Sequence, residues 1–250
     1  MSLIIPTQKQ NIAILGDSIT AIGHYIGCMK DYFDFRYPGH GIVLSGYGKS
    51  GETLSGLCET GRPVPRGCFF DRADEVLPLI QHSDLILFCY GMNDGIYEPY
   101  SETHMQAYKN GVIRLCEILG QCPRIALTPP PFDAKSYLYH RSLQPPLPPG
   151  SPVYPEPFMG YDDVLEKYSI WLMTQKGKLL HDVVDIHAPI NAYIHRKRKE
   201  NPGYVYGDGI HPGLDGHCLI AKLILEVLTG EQISDFTMQA SPEKSEESKN

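Results

Sequence analysis

The chain has 250 residues, of which 42% are hydrophobic and 20% are charged, proportions that suit one globular domain. Its formal net charge of −7 argues against a nucleic-acid-binding protein, because such proteins usually carry a basic face. The seven cysteines form no C-x-x-C pair, so the sequence carries neither a disulfide framework nor a zinc motif of the common kind.

Short apolar runs that alternate with helix-compatible stretches indicate the fold class. The runs resemble buried strands in length and flanking residues, and they are Ile12–Leu15, Ile42–Leu44, Leu85–Tyr90, Arg124–Leu127 and Val183–Ile186. Longer segments of helical character are Ser101–Leu119, Tyr161–Thr174 and Leu214–Leu228. The alternation predicts a three-layer α/β/α sandwich around a mostly parallel sheet of about five strands. Ligands bind such sheets outside the carboxyl ends of the strands.

A long insertion, residues 129–159, interrupts the single domain that we expect over residues 1–232. Ten of the 21 prolines lie between Pro129 and Pro157, which makes the segment too rich in proline for a helix. Because the insertion leaves the carboxyl end of a strand, we expect it to form a wall or lid over the site. A plain surface excursion is the alternative.

Two charged segments lie further along the chain. The basic run His195–Lys199 is typical of a solvated helix end or loop. Residues 233–250 combine low hydrophobicity with high charge, which predicts a flexible polar tail. With no signal-peptide pattern and no apolar run of about 18 residues, we expect a cytoplasmic protein without a membrane span.

A serine follows the first predicted strand directly, in Gly16-Asp17-Ser18. A strand-to-helix turn would hold its hydroxyl at the carboxyl edge of the sheet, where a base could activate it as a nucleophile. A serine that only caps a helix explains the same pattern.

A glycine-rich segment, Gly46-Tyr47-Gly48-Lys49-Ser50-Gly51, follows the second predicted strand. Its spacing matches a dinucleotide fingerprint, but that fingerprint belongs after the first strand of its unit and before an uninterrupted helix. A P-loop would need a glycine where Val43 stands. A glycine-rich turn can instead present a backbone N–H to a developing oxyanion.

The third predicted strand leads into Gly91-Met92-Asn93-Asp94. The side chain of Asn93 could donate a hydrogen bond into a site at the sheet edge. An Asn-Asp pair after a strand is also a common turn, so this segment alone leaves both explanations open.

Asp208 and His211 lie three residues apart, shortly before the last predicted helix. A carboxylate at this spacing can orient the imidazole and fix its tautomer, as a general base requires. Asp215 and His217 follow closely, and such side chains also bind zinc or manganese. A metal-dependent hydrolase that uses these four residues is therefore an alternative.

Taken together, the four segments occur in the order of the four blocks of the SGNH (GDSL-type) hydrolase family. The chain resembles this family from Ile12 to about Leu228. The resemblance implies a flavodoxin-like α/β fold. It also implies that Ser18 is the nucleophile, His211 the general base and Asp208 the residue that orients the base.

The resemblance further implies an oxyanion hole, formed by the N–H groups of Ser18 and Gly51 and the side chain of Asn93. Asp17 and Asp94 match family positions that hold turns. The second block is the least similar of the four, because the family often has asparagine at the first glycine of this segment.

The reaction implied by the family is ester hydrolysis through an acyl-enzyme, with no cofactor and no metal. Among esters we favour short acyl groups, acetyl above all, on carbohydrates, because Tyr97, Tyr137 and Tyr139 lie on predicted loops and could stack on a sugar ring. Packing of the insertion is the other role open to these rings. A lysophospholipase or thioesterase, and a non-catalytic binding module, remain alternatives. We expect a small-molecule ester as the partner, and no prediction is made of the oligomeric state.

Overall fold

Five parallel strands form the central sheet in the computed structural model, which describes residues 9–233. In chain order the strands are β1 (Gln10–Gly16), β2 (Ile42–Gly48), β3 (Leu85–Cys89), β4 (Arg124–Leu127) and β5 (Asp182–Val184). Their order across the sheet is β2-β1-β3-β4-β5, and every neighbouring pair is parallel. The predicted α/β fold with a five-stranded parallel sheet is confirmed.

Helices cover the strands and connect them. They are α1 (Ser18–Ile22), α2 (His24–Arg36), α3 (Ala73–Ile80), α4 (Glu102–Ile118), α5 (Ala134–Leu143), α6 (Tyr161–Met173), α7 (His187–Glu200) and α8 (Leu214–Thr229). No helix between residues 9 and 233 is long and apolar enough to cross a membrane.

The sheet separates two hydrophobic cores, because successive side chains of a strand point to opposite faces. Ala13 and Leu15 of β1 pack on the face that α3, α4 and α6 cover. Ile12 and Ile14 of the same strand pack on the other face, under α2, α7 and α8. With helices packed over a core on each face of the sheet, the molecule has the three layers that the sequence predicts.

β2 is longer than predicted and runs through Gly48, so half of the glycine-rich segment is strand and not turn. Helix α1 crosses the end of β2 closely, and a Cβ on Gly48 would lie only 2.2 Å from the backbone nitrogen of Ala21. This close packing explains why residue 48 is a glycine, so a bound nucleotide is not needed to explain it. The other strand ends differ little from prediction, since β3 stops at Cys89 and β5 at Val184.

We expect Gly48→Ala to destabilise the fold by at least the about 1–3 kcal/mol typical of overpacking, because the clash is with backbone. Thermal unfolding followed by circular dichroism measures the change in Tm. Gly27→Ala is the matched control, since Gly27 is exposed in α2 and its Cβ would meet nothing within 4 Å. That variant should gain about 0.5–1 kcal/mol from its better helix propensity. Equal Tm values for the two variants would contradict the packing argument.

The insertion after β4 contains a helix, α5, so the prediction that this segment is too rich in proline for a helix is wrong. The prolines lie on both sides of α5, and none lies within it. Asp133 caps the helix by accepting a hydrogen bond from the backbone N–H of Ser136 at 3.0 Å. Proline content averaged over the whole insertion conceals this proline-free stretch.

The basic run His195–Lys199 forms the last turns of α7, as the helix-end interpretation predicts. One of its members, Arg198, is largely buried, with 18% of its side chain exposed. Arg198 forms a two-fold ion pair with Asp133, with 2.8 Å between its Nη1 and Oδ1 of the carboxylate. The run therefore attaches α7 to the start of α5. The predicted flexible tail lies outside the described residues beyond position 233.

Candidate active site

Three of the four sequence blocks meet at the carboxyl edge of the sheet. Ser18 follows β1, Gly51 lies just beyond β2, and Asn93 lies just beyond β3. β1 pairs with β2 on one side and with β3 on the other, so these three strand ends are adjacent. In a sheet of this order, the chain adds β2 on one side of β1 and then adds β3, β4 and β5 on the other side. Ligands bind in the crevice between β1 and β3, where this direction reverses.

The turn that carries Ser18 is held by its neighbour Asp17. The Asp17 carboxylate is buried and accepts a hydrogen bond from the backbone N–H of Ile19 at 3.0 Å, which caps α1. Burial raises the pKa of Asp17 to about 7, although this hydrogen bond and the nearby His211 act in the opposite direction. Ser18 is thereby fixed as the first residue of α1.

The structure brings Ser18, His211 and Asp208 into one hydrogen-bonded chain. His211 Nε2 lies 2.8 Å from Ser18 Oγ, and His211 Nδ1 lies 2.8 Å from Asp208 Oδ2. The other carboxylate oxygen of Asp208 accepts the backbone N–H groups of Ile210 and His211, at 2.9 and 2.6 Å. With the Nδ1 proton directed at Asp208, Nε2 can accept the Ser18 proton.

The charges of Asp208 and His211 stabilise each other. Burial alone would raise the pKa of the Asp208 carboxyl, but the hydrogen bonds from the ring and backbone of His211 outweigh burial and lower it. The hydrogen bond to Asp208 raises the pKa of His211 above its ordinary 6.5, against a smaller opposing effect of burial. Asp208 is therefore ionised at neutral pH and favours the imidazolium form of His211.

The loop that carries Asp208 and His211 rests on the start of α5. Gly209 has a φ of 88°, and a Cβ there would lie 2.5 Å from both the Asp133 carbonyl oxygen and the Tyr137 backbone nitrogen. The N–H of Asp133 donates to the carbonyl of Gly209 at 2.8 Å. Only glycine combines this backbone conformation with so close an approach.

Asn93 lies beneath the surface of the same edge, with 8% of its area exposed. Its Nδ2 donates to the carbonyl of Glu52 at 3.2 Å, which places the amide beside Gly51. The adjacent Asp94 accepts the backbone N–H groups of Leu54 and Ser55 at 3.1 and 2.7 Å. The loops after β2 and β3 are thus bound to each other.

Buried tyrosine hydroxyls fix the loop after β3 from below. Tyr161 donates to the carbonyl of Gly91 at 2.7 Å, and Tyr168 donates to the carbonyl of Asp94 at 2.7 Å. Both tyrosines lie on α6, which follows the insertion. The helix therefore holds both ends of the segment that contains Asn93.

Comparison with known proteins adds to this geometry. The sequence model of the GDSL-like lipase/acylhydrolase family matches residues 14–219, which include every residue of the hydrogen-bonded chain. The chain belongs to the GDSL-like lipase/acylhydrolase family. It is a carboxylic ester hydrolase, as the motifs predict. Among curated proteins, no sequence matches it.

Solved structures of similar fold accompany the family match. A gut microbial diltiazem-metabolizing enzyme has a TM-score of 0.65 at 18% identity, with 91% of this acylhydrolase covered. The chain spans about half of that enzyme, 48% of its length. The acetylxylan esterase of Geobacillus stearothermophilus has a TM-score of 0.63 at 17% identity, with 92% of this chain and 99% of that one covered. An alpha/beta hydrolase from the metagenome of Lake Arreo, Spain, has a TM-score of 0.52 at 18% identity, with 89% and 96% covered.

The three tyrosines predicted to contact substrate have different surroundings in the acylhydrolase. Tyr97 lies under the guanidinium of Arg66, 5.3 Å from ring centroid to Cζ. Tyr137 is half-buried, and its hydroxyl donates to Glu156 within the insertion. Tyr139 lies on α5 and is 54% exposed. Arg66 contacts both Tyr97 and Asn93, so Tyr97 lies near the site. Tyr139 makes no contact with the site residues in the part of the chain that the structure describes.

The four residues of the alternative metal site do not form a cluster. Asp208 and His211 bind each other, and Asp215 accepts two tyrosine hydroxyls at 2.9 and 2.5 Å. His217 is buried, and its ring packs against those of His24 and Tyr25. Between residues 9 and 233, no three His, Cys, Asp or Glu side chains are placed to share a metal ion. The described residues therefore give this alternative no support.

Sequence reasoning missed a buried ion pair next to Asn93. Arg66 binds Glu59 through Nε and Nη2, at 2.6 and 2.8 Å, and both side chains are almost fully buried. These residues lie in an irregular segment between β2 and α3, where their spacing follows neither a helical nor a strand period. No pattern in the sequence distinguishes them from exposed charges.

Proposed function

We propose that this acylhydrolase removes short acyl groups, acetyl above all, from esterified carbohydrates through an acyl-enzyme on Ser18. The hydrogen-bonded chain Ser18–His211–Asp208, with 2.8 Å at each of its two links, carries the proposal. A serine hydroxyl needs a base at this distance, and the base needs a partner that fixes its tautomer.

The first step forms the ester bond to the enzyme. Ser18 Oγ attacks the ester carbonyl carbon while its proton passes to His211 Nε2, and the carbonyl oxygen becomes an oxyanion. The intermediate then collapses, the bond to the alcohol oxygen breaks, and His211 returns the proton to the departing alcohol. Asp208 stabilises the transient imidazolium.

The second step reverses the sequence with water. His211 removes a proton from a water molecule as the water oxygen attacks the acyl carbon. The bond to Ser18 Oγ then breaks, and the serine recovers its proton from His211. In both steps the N–H groups of Ser18 and Gly51 and the Nδ2–H of Asn93 stabilise the oxyanion.

Two observations support the choice of substrate. The ring of Tyr97, which lies near Asn93 through Arg66, is an apolar surface of the kind on which sugar rings stack. One of the solved structures that this chain covers over almost their full length is that of an acetylxylan esterase. Solved variants of that enzyme described as catalytic mutants replace a serine or an aspartate with alanine, which agrees with the types of residue proposed here.

A substrate screen tests the proposal. We expect hydrolysis of acetylated xylo-oligosaccharides and of p-nitrophenyl acetate, with kcat/KM falling as the acyl chain of the p-nitrophenyl ester lengthens to octanoate. Ser18→Ala is the control that separates enzymatic from spontaneous hydrolysis. A preference for octanoate, lysophospholipid or acyl thioester would overturn the substrate assignment in favour of a lysophospholipase or thioesterase. A rate unaffected by Ser18→Ala would overturn the mechanism itself.

A further inference from the structure

Arg66 has more hydrogen-bonding capacity than its ion pair uses. Its Nε and Nη2 engage both oxygens of Glu59, which leaves Nη1 directed elsewhere. Nη1 donates to Asn93 Oδ1 at 3.2 Å and lies 3.5 Å from the carbonyl oxygen of Gly51. One buried guanidinium therefore contacts the two residues that follow β2 and β3 in the proposed oxyanion hole.

The Asn93 amide is consequently held at both ends. Its oxygen accepts from Arg66, and one of its two N–H groups donates to the carbonyl of Glu52. A planar amide fixed at two points has no freedom to rotate, and its second N–H keeps a set direction. Preorganised donors of this kind are effective because they do not have to reorient as charge develops.

We propose that Arg66 is a positioning residue of the oxyanion hole, which it serves by fixing the Asn93 amide and the Gly51 peptide. This inference rests on the proposed function. Glu59 neutralises the guanidinium, so Arg66 acts by geometry and by polarising the Asn93 amide, and not as a free positive charge near the oxyanion. Glu59 in turn holds Arg66 in place.

Stability alone does not account for the pair. A buried ion pair is often replaceable by apolar residues of similar size without loss of stability. Since the Arg66 side chain is 3% exposed and that of Glu59 is 1% exposed, desolvation of both charges opposes folding. A role in holding Asn93 gives this arrangement a function that apolar residues could not supply.

The test is a double-mutant cycle between Arg66→Lys and Asn93→Ala, measured as kcat and KM for p-nitrophenyl acetate. A lysine can pair with Glu59, but its single ammonium lacks the fork that reaches Asn93 and Gly51 at the same time. We expect Arg66→Lys to lower kcat about 10- to 100-fold with KM nearly unchanged, which is less than the about 10²–10³-fold for loss of a donor in Asn93→Ala. In the Asn93→Ala background, the same change should lower kcat much less, because the main group that Arg66 positions is gone.

Two further variants guard against effects on folding. The double variant Arg66→Met with Glu59→Gln removes both charges, leaves no unpaired carboxylate, and should show the same kcat loss with a Tm close to that of Arg66→Lys. Arg198→Lys is the matched control, because Arg198 also forms a two-fold ion pair but contacts neither Asn93 nor Gly51. Its effect on kcat should be the same in both backgrounds.

The outcomes distinguish this inference from the proposed function. Equal fold-losses for Arg66→Lys with and without Asn93 would overturn the positioning role, and so would a wild-type kcat in Arg66→Lys while Asn93→Ala is impaired. Both results leave the Ser18 mechanism intact. A wild-type kcat in Asn93→Ala would overturn the oxyanion hole and the role of Arg66 together.

Discussion

Ser18→Ala is expected to lower kcat for p-nitrophenyl acetate by about 10⁶-fold, the scale seen when a catalytic serine of a triad is removed. The reason is that no other atom of the hydrogen-bonded chain can form the acyl-enzyme. His211 would still lie at the site, but it would have only water to activate. Residual turnover would come from binding and the oxyanion hole.

A fluorophosphonate probe supplies an independent measurement of the same prediction. The wild-type protein should be labelled on Ser18, as peptide mass spectrometry would show, and Ser18→Ala should not be labelled. Ser142→Ala is the matched control, because Ser142 is an exposed serine on α5. Labelling that persists in Ser18→Ala, or full activity in that variant, would be incompatible with Ser18 as the nucleophile.

Asp208→Asn should lower kcat by about 10⁴-fold while the protein remains folded. The asparagine amide can donate to His211 Nδ1, which would leave the ring proton on Nε2. That tautomer points a proton at Ser18 Oγ and cannot accept the serine proton. The activity is therefore lost because the tautomer of His211 and the charge of residue 208 change, while the conformation of the loop is kept.

The pH dependence of kcat/KM gives a second measure of Asp208. Only neutral His211 acts as a base, so the rate should rise with pH as this ring loses its proton. Because the hydrogen bond to Asp208 raises the His211 pKa, the wild-type acid limb should lie above pH 6.5. In Asp208→Asn that effect is lost and burial still lowers the pKa, so the limb should move to lower pH.

Asp215→Asn is the control for both measurements. Asp215 is the other carboxylate near this loop, but it binds two tyrosine hydroxyls and not His211. We expect its kcat and acid limb to match those of the wild type. A loss in Asp215→Asn as large as that in Asp208→Asn would revive the alternative in which these residues share a metal ion.

The fold and the order of the site blocks could be predicted because both depend on local patterns. The strand of Leu85–Cys89 is a continuous apolar run, and parallel strands end at one edge of a sheet. That geometry alone brings the turns of Ser18 and Asn93 together. The contact between Ser18 and His211 spans 193 positions, and only the family resemblance indicated it.

The features that sequence reasoning missed have two different causes. Helix α5 is proline-free within a proline-rich insertion, so average composition misleads there. Arg66 and Glu59 are charged residues of an irregular segment, and their burial depends on tertiary contacts such as that of Arg66 with Asn93. The sequence alone does not distinguish a buried charged residue from an exposed one, because the ion-pair partner is known only from the fold.

The contact of Gly209 with Asp133 and Tyr137 sets a limit on how the insertion can be re-engineered. The start of α5 supports the loop that carries His211, the proposed base. We expect a foreign segment grafted in its place to displace His211, even where the new segment suited a new substrate. The atoms nearest to a Cβ on Gly209 belong to Asp133 and Tyr137. We therefore expect the exposed residues 144–150 to be the part of the insertion that can be exchanged with the least effect on His211.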